Sequence, residues 1–295
     1  MKPASSRASL WTRHSRFLLG GFLLTVALII YVWWPLAEAA LAYTDWGGPW
    51  WRTFDWLLVG IFLFMSLTIV AGADLRRDWL IIFVGTFGGL AIEAWGTQTN
   101  LWHYYTAERP PLWIIPAWPI ASLSIDRISR LMEYAWRRPE SSHSNAAEGR
   151  SQAPSGPLRV CYAKTSQSIF GWLYWLAFLP FLGIMLVFIA PTFWKPYTVL
   201  AALLCVLLIF TPPDRRKSLL IFAAGAGLGY FLERWGTTRA CWTYYTGQTP
   251  PLFAVLAHGM ASVVFWRTGL LIRRIWGRLG ELRADWAGSA GAAGD

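Results

Sequence analysis

Glu93 and Glu233 are the residues best placed to do chemistry in this chain, each lying within an apolar stretch and the two standing 140 positions apart. A carboxyl group inside a membrane helix costs about 2.5–3.5 kcal/mol on insertion scales and ordinarily marks a functional site. Low dielectric disfavours its charged form, and a carboxylic acid that stays protonated near neutral pH can donate a proton to a substrate. Both glutamates are therefore candidate catalytic acids. A structural role is the alternative, in which each one caps loop N–H groups or pairs with a nearby cation such as Arg234.

The aromatic residues that follow are placed at a constant distance. Trp102, Tyr104 and Tyr105 come after Glu93 as Trp242, Tyr244 and Tyr245 come after Glu233. Interfacial belts in membrane proteins are rich in Trp and Tyr, which accounts for the residue types but not for the fixed spacing. As substrate-binding residues they would form a π-rich wall suited to a polyene or a developing carbocation. His258 falls opposite Trp118 of the first half. It reads either as a hydrogen-bonded core histidine or as the mark of a second copy that has become the active one.

No metal site is expected, because His103 and His258 do not recur at matching positions. No cofactor is expected either, since the chain has no phosphate-cradling glycine loop, nucleophile elbow or His-Glu-x-x-His. Cys161, Cys205 and Cys241 are too scattered to indicate a disulfide or a zinc cluster.

The elements that position these residues are duplicated. Glu93 to Leu112 returns without a gap as Glu233 to Leu252, with eleven of twenty positions identical. The match reaches back through Gly89, Gly85, Arg76 and Asp74 to Gly229, Gly225, Arg216 and Asp214, so one unit is used twice. Each set Gly85, Gly89, Glu93 and Gly225, Gly229, Glu233 follows i, i+4, i+8 spacing. Small residues four apart let another backbone approach closely in lipid, so the glutamate on that face should point into protein.

A chain of 295 residues that is 55% apolar and only 14% charged, with 21 Trp, has the composition of a membrane protein. The spacing predicts an all-α polytopic protein with eight spans, over 17–34, 54–72, 79–96, 111–126, 168–190, 194–211, 218–236 and 251–272. The fourth is expected to be broken by Pro116 and Pro119. Ala37-Glu38-Ala39 resembles a small-residue cleavage site, but the preceding apolar run is longer than a usual signal core and is read as a retained span.

The organisation expected is a basic N-terminus (1–16), a four-helix repeat (17–136), an irregular linker (137–165), a second repeat (166–278) and a tail (279–295). Four spans per unit bring the second copy in with the same orientation, which implies a parallel pseudo-twofold axis along the membrane normal. Whether the two glutamates then meet across that axis or serve separate pockets stays open.

Of the 26 Lys and Arg, all but Arg52, Arg109, Lys195, Arg234 and Arg239 fall on the side of the N-terminus. This places both termini in the cytoplasm, with the chain in the inner membrane of a bacterium. The net charge of +10 is then a topology signal and a contact with anionic lipid, not the mark of a nucleic-acid partner. A lipid or isoprenoid small molecule is the partner expected.

The segment Glu93-x-x-Gly96-Thr97-x-Thr99, followed by Tyr104-Tyr105-Thr106 and by Pro-Pro before a helix carrying Trp118, resembles the integral-membrane carotenoid-biosynthesis proteins of the carotenoid 1′,2′-hydratase type. It departs from them in lacking a Pro-Phe-Gly step and in bringing the tyrosines closer to the glutamate. The resemblance implies cofactor-free acid chemistry on an isoprenoid double bond, with a proton from Glu93 or Glu233 and capture of the cation by water or an internal alkene. A transporter or lipid carrier, and an assembly partner of a membrane complex, are the alternatives.

Overall fold

The computed structural model describes the backbone over residues 11–44, 46–147 and 157–292, and side chains over 11–44, 46–136 and 169–282. The chain is mostly helical. Helices α1 (Arg13–Val32), α2 (Trp34–Ala42), α3 (Trp56–Val70) and α4 (Leu75–Gln98) precede a short strand β1 (Trp102–Tyr104). Then come α5 (Ala117–Ala147), α6 (Pro157–Ile189), α7 (Pro196–Phe210), α8 (Arg215–Thr238), β2 (Trp242–Tyr244) and α9 (Leu252–Ala292).

Local chemistry explains the helix ends. Thr12 and Ser15 form a capping box at α1, and Asp55 caps α3 through Leu58 N. Asp74 and Asp214 recur because each caps the helix that carries a glutamate, accepting from Arg76 N and Lys217 N at 3.1 and 2.9 Å. At the other end, Asn100 and Ala240 turn left-handed, with φ of 61° and 53°. Leu101 N and Cys241 N then reach back to Gly96 O and Gly236 O, both at 2.9 Å, in Schellman geometry. That reversal sends the chain straight back over the helix it has just left.

Among the described residues, four helices are long and apolar enough to cross a membrane: Arg13–Val32, Leu75–Gln98, Ile169–Thr192 and Leu252–Leu282. Helices α3 and α7 are apolar but have 15 residues each, about 22 Å at 1.5 Å per residue, against a hydrocarbon core of about 30 Å. Helix α8 opens on Arg215, Arg216 and Lys217 and carries Glu233 and Arg234 before its last turn, which shortens its apolar run. Large apolar side chains such as Leu24, Leu67, Leu176 and Leu200 are exposed on the outside of the bundle, as a lipid-facing surface requires and a water-facing one would not tolerate in such number.

Three expectations are corrected. The helix expected at 111–126 begins only at Ala117, after a 3-10 turn at Leu112–Ile114. Pro119 does not break it, because the third residue of a helix has no N–H partner to lose. The linker expected to be irregular is helical through Ala147 and again from Pro157, and the tail is helical to Ala292. Extending a formed helix needs no new nucleation, so polar sequence continues it without an apolar face. Residues 148–156, inside that linker, lie outside the described residues, as do most of the basic N-terminus and the side chain of Cys161.

The core is the four-helix set α4, α5, α8 and α9, in which α4 packs on α5 and α9, and α8 on α9 and α5. Helix α3 closes one flank against α5 and α8, and α6 covers α8 and α9 with α7 beyond it. Glycines set the closest approaches. A Cβ at Gly85 would lie 2.9 Å from Pro119 Cα, and one at Gly89 would lie 2.2 Å from Trp118 Cγ. A Cβ at Gly225 would lie 2.8 Å from His258 O, and one at Gly229 would lie 2.5 Å from His258 Cβ. The close approach expected from the glycine spacing is thus found between α4 and α5 and between α8 and α9.

Candidate functional site

The two strands pair with each other. Antiparallel β1 and β2 align Trp102 with Tyr244, His103 with Thr243 and Tyr104 with Trp242. The ladder is continued by Tyr105 N to Cys241 O and Tyr245 N to Leu101 O, both at 3.1 Å. His103 and Thr243, 140 positions apart, are therefore direct partners. Side chains alternate along a strand, so Trp102 and Tyr104 share one face and Trp242 and Tyr244 share the matching one.

Those faces cover the glutamates. Glu93 is buried and accepts three hydrogen bonds: from Tyr104 OH (2.9 Å) and Trp118 Nε1 (3.1 Å) on Oε1, and from Trp102 Nε1 (3.0 Å) on Oε2. Glu233 is buried in the same way. Its Oε1 accepts from Tyr244 OH (2.9 Å) and meets His258 Nε2 (3.0 Å), and its Oε2 accepts from Trp242 Nε1 (2.9 Å). Gly96 and Gly236 make room for this, since a Cβ there would lie within 1.8 Å of Trp102 Cη2 and 2.0 Å of Trp242 Cη2. Burial first, then the adjacent carboxylate, pushes the Tyr104 and Tyr244 phenols well above their ordinary value, which keeps both as neutral donors.

Trp118 and His258 stack on each other, with centroids 5.8 Å apart and planes at 18°. The two carboxyl groups are therefore joined through one pair of stacked rings at the junction of α5 and α9. They do not serve separate pockets. Glu93, Glu233, Trp118 and His258 all line a single cavity of about 510 Å³ whose other walls are overwhelmingly apolar, from α4, α6, α7 and α9. That volume lies in the range of small-molecule sites.

The two carboxyl groups differ in what a proton would meet. Each oxygen of Glu93 faces an indole N–H, which donates and never accepts, so both oxygens must act as acceptors. Only Oε2 of Glu233 faces an indole. Its Oε1 faces a phenol and an imidazole, each able to donate or accept, so a proton can rest on Oε1 or pass to His258 Nε2. The single difference between Trp118 and His258 gives Oε1 of Glu233 an imidazole that can accept a proton where Oε1 of Glu93 meets an indole that cannot.

The sequence-predicted residues divide accordingly. Glu93, Trp102, Tyr104, Glu233, Trp242, Tyr244 and His258 come together at the cavity. Tyr105 and Tyr245 do not. Their hydroxyls donate to Val32 O and Phe188 O, tying the strand pair to the ends of α1 and α6. They occupy the opposite side of the strand alternation from Tyr104 and Tyr244. Arg234 does not pair with Glu233 and donates instead to Thr249 O at 3.4 Å. Trp118, a donor to Glu93, was not identified as a site residue from sequence, although its place 140 positions before His258 held the signal. Asp55 carries no repeat signal in the sequence, since Lys195 stands 140 positions after it. It binds Arg239 (2.9 Å) and Trp235 Nε1 (2.8 Å), while Trp95, the counterpart of Trp235, donates to Thr198. Among the described residues no group of three His, Cys, Asp or Glu could hold a metal ion.

No protein-family model, curated protein or solved structure matches this chain.

Proposed function

We propose that this protein is an enzyme of the bacterial inner membrane that protonates a double bond of an isoprenoid-like ligand, with Glu233 as the acid and His258 as its proton relay. The observation that carries the reading is the meeting of two buried carboxyl groups and one imidazole on a single, otherwise apolar cavity. In this reading the chain makes eight spans as two tandem four-helix repeats about an axis along the membrane normal, with both termini cytoplasmic. The two 15-residue helices are accommodated by local thinning of the bilayer. Leu200 and Leu204 of α7 line the cavity and are exposed on the bundle surface, so an apolar ligand enters from the acyl chains.

The chemistry balances without a cofactor. The proton on Glu233 Oε1 passes to one carbon of the double bond and leaves a carbocation on the other. Aromatic faces lining the cavity and the Glu93 carboxylate stabilise that charge. Water adds through its oxygen, and its surplus proton returns to Glu233 by way of His258 Nε2. The net change is addition of water; attack by an internal alkene followed by proton loss gives cyclisation instead. The motif around Glu93, read as a resemblance to carotenoid hydratases, would imply the same chemistry.

The test is mass spectrometry of apolar metabolites in cells lacking the protein and in cell-free membranes carrying the wild type or Glu233→Gln. One isoprenoid should accumulate without the protein, and the variant should clear it roughly 10²–10⁴-fold more slowly, the usual contribution of a general acid. An unchanged apolar profile in cells lacking the protein would overturn the enzymatic reading and leave ligand transport to be examined.

A further inference from the structure

A second cavity, of about 250 Å³, lies in the same four-helix core at the end opposite the glutamates. Arg77, which lines it, stands sixteen residues before Glu93 on α4, about 24 Å along the helix axis. Its chemistry is the reverse of the first. Among the described residues, Arg77, Arg130, Lys217 and Arg273 line it against Asp126 and Glu133, an excess of two positive charges.

The acids are already engaged. Asp126 pairs with Arg130 and with Arg127, and Glu133 pairs with Lys217 at 2.9 Å. Arg77 and Arg273 have no acidic partner among the described residues. The neighbouring Asp78–Arg127 pair is neutral in sum and buried, so it does not offset them. Burial, together with the cations Arg77 and Arg127, holds the Arg130 guanidinium below its ordinary value although Asp126 acts the other way. Crowded cations in a recess call for an anion.

The deeper wall is apolar, from Leu80, Ile81, Val84 and Leu270. A recess with cations at its mouth and aliphatic side chains behind them matches a phosphate group attached to a hydrocarbon chain. We infer that this cavity is a binding site for a phosphate monoester, with Arg77 and Arg273 as its charge partners and any attached chain lying against Leu80, Val84 and Leu270. An excess of two positive charges matches a dianion, and guanidinium groups pair with phosphate oxygens in bidentate fashion. A membrane lipid headgroup and a soluble phosphate offer the same chemistry.

The experiment uses the full chain in phosphatidylcholine nanodiscs doped with phosphatidic acid, released into native mass spectrometry. A parallel arm uses detergent-solubilised protein titrated with inorganic phosphate. The wild type should retain phosphatidic acid in preference to phosphatidylcholine. Arg77→Gln with Arg273→Gln should bind it roughly 30-fold more weakly, as expected for two basic side chains at a membrane surface. Both positions are exposed, and Arg77→Lys with Arg273→Lys should keep most of the binding, which separates lost charge from lost fold. Retention undisturbed by inorganic phosphate assigns the site to a lipid, and displacement by it assigns the site to a soluble phosphate. Equal retention of the two lipids, or retention unchanged in the double Gln variant, would overturn the inference.

Discussion

Replacing each glutamate by glutamine should have unequal consequences for stability, and the difference can be worked out donor by donor. Glutamine offers one oxygen and one NH2 group. With its oxygen at the Oε1 position of Glu93 it satisfies Tyr104 and Trp118, but its NH2 then faces the Trp102 indole N–H, 3.0 Å away in the native bond. Flipped, the oxygen satisfies Trp102, but the NH2 faces the Trp118 indole, at 3.1 Å in the native bond. Either way one buried indole N–H loses its acceptor and meets a second donor. At position 233 the flipped amide sets no two N–H donors against each other: its oxygen takes the Trp242 indole, the Tyr244 hydroxyl and a neutral His258 both accept from its NH2, and the Tyr244 hydroxyl can rotate its own hydrogen aside as a fixed indole N–H cannot. An unsatisfied buried donor costs about 1–3 kcal/mol, so Glu93→Gln should be less stable than Glu233→Gln by about 2 kcal/mol. In a thermal melt that is a gap of roughly 4–8 °C for a domain of this order of size. The decisive arm is Trp118→His in the Glu93→Gln background, which gives the first site the acceptor that the second already has and should close most of the gap. Equal melting of the two Gln variants, or no recovery with Trp118→His, would refute the account of Glu93 as a carboxylate locked by two indoles.

The remaining predictions concern packing, turns and charge. Gly229→Ala drives a methyl to within 2.5 Å of His258 Cβ and should cost about 1–3 kcal/mol, the usual penalty for overpacking. Gly227→Ala meets nothing within 4 Å and should melt at or above the wild-type temperature in the same assay. Ala240 holds φ of 53° at the end of α8, so Ala240→Gly should stabilise by about 1 kcal/mol, read as a rise in melting temperature. Asp78→Asn takes from the buried Arg127 one of its two acidic partners and leaves Asp126, so it should destabilise by about 1–3 kcal/mol, visible as loss of monodisperse protein after detergent extraction. Asp55→Asn removes a half-exposed pair with Arg239 and should cost no more than about 1 kcal/mol, which chemical unfolding would register as a small shift.

Much of the site was legible in the residues themselves. The recurrence of Gly85, Gly89 and Glu93 as Gly225, Gly229 and Glu233 shows up in any alignment of the chain with itself, and the close helix approach follows from glycine spacing alone. The constant offset of Trp102 and Tyr104 from Glu93 has a local cause as well. A Schellman turn is a short-range structure, and once it reverses the chain, the side chains nine and eleven residues on fall back over the glutamate. The helical continuation past Trp136 and past Arg278 was not legible in this way, because a helix extended from a formed one needs no apolar period to announce it.

What sequence could not decide was the meeting of the two halves. Nothing in Trp102–Tyr104 states that its strand partner is Trp242–Tyr244, because a three-residue edge carries no register information until the helices beneath it are packed. The same holds for Trp118 and His258. Each is one ring on one helix, and only the crossing of α4, α5, α8 and α9 stacks them at 5.8 Å. Sequence by itself determined two buried carboxyl groups, their indole and phenol donors and the glycines that admit them, because those relations act within a helix and the turn after it. The tertiary structure decided that the carboxyl groups share one cavity, that Tyr105 and Tyr245 face away from it, and that an imidazole stands beside Glu233 where an indole stands beside Glu93. Those relations depend on packing between segments far apart in the chain, which no local pattern encodes.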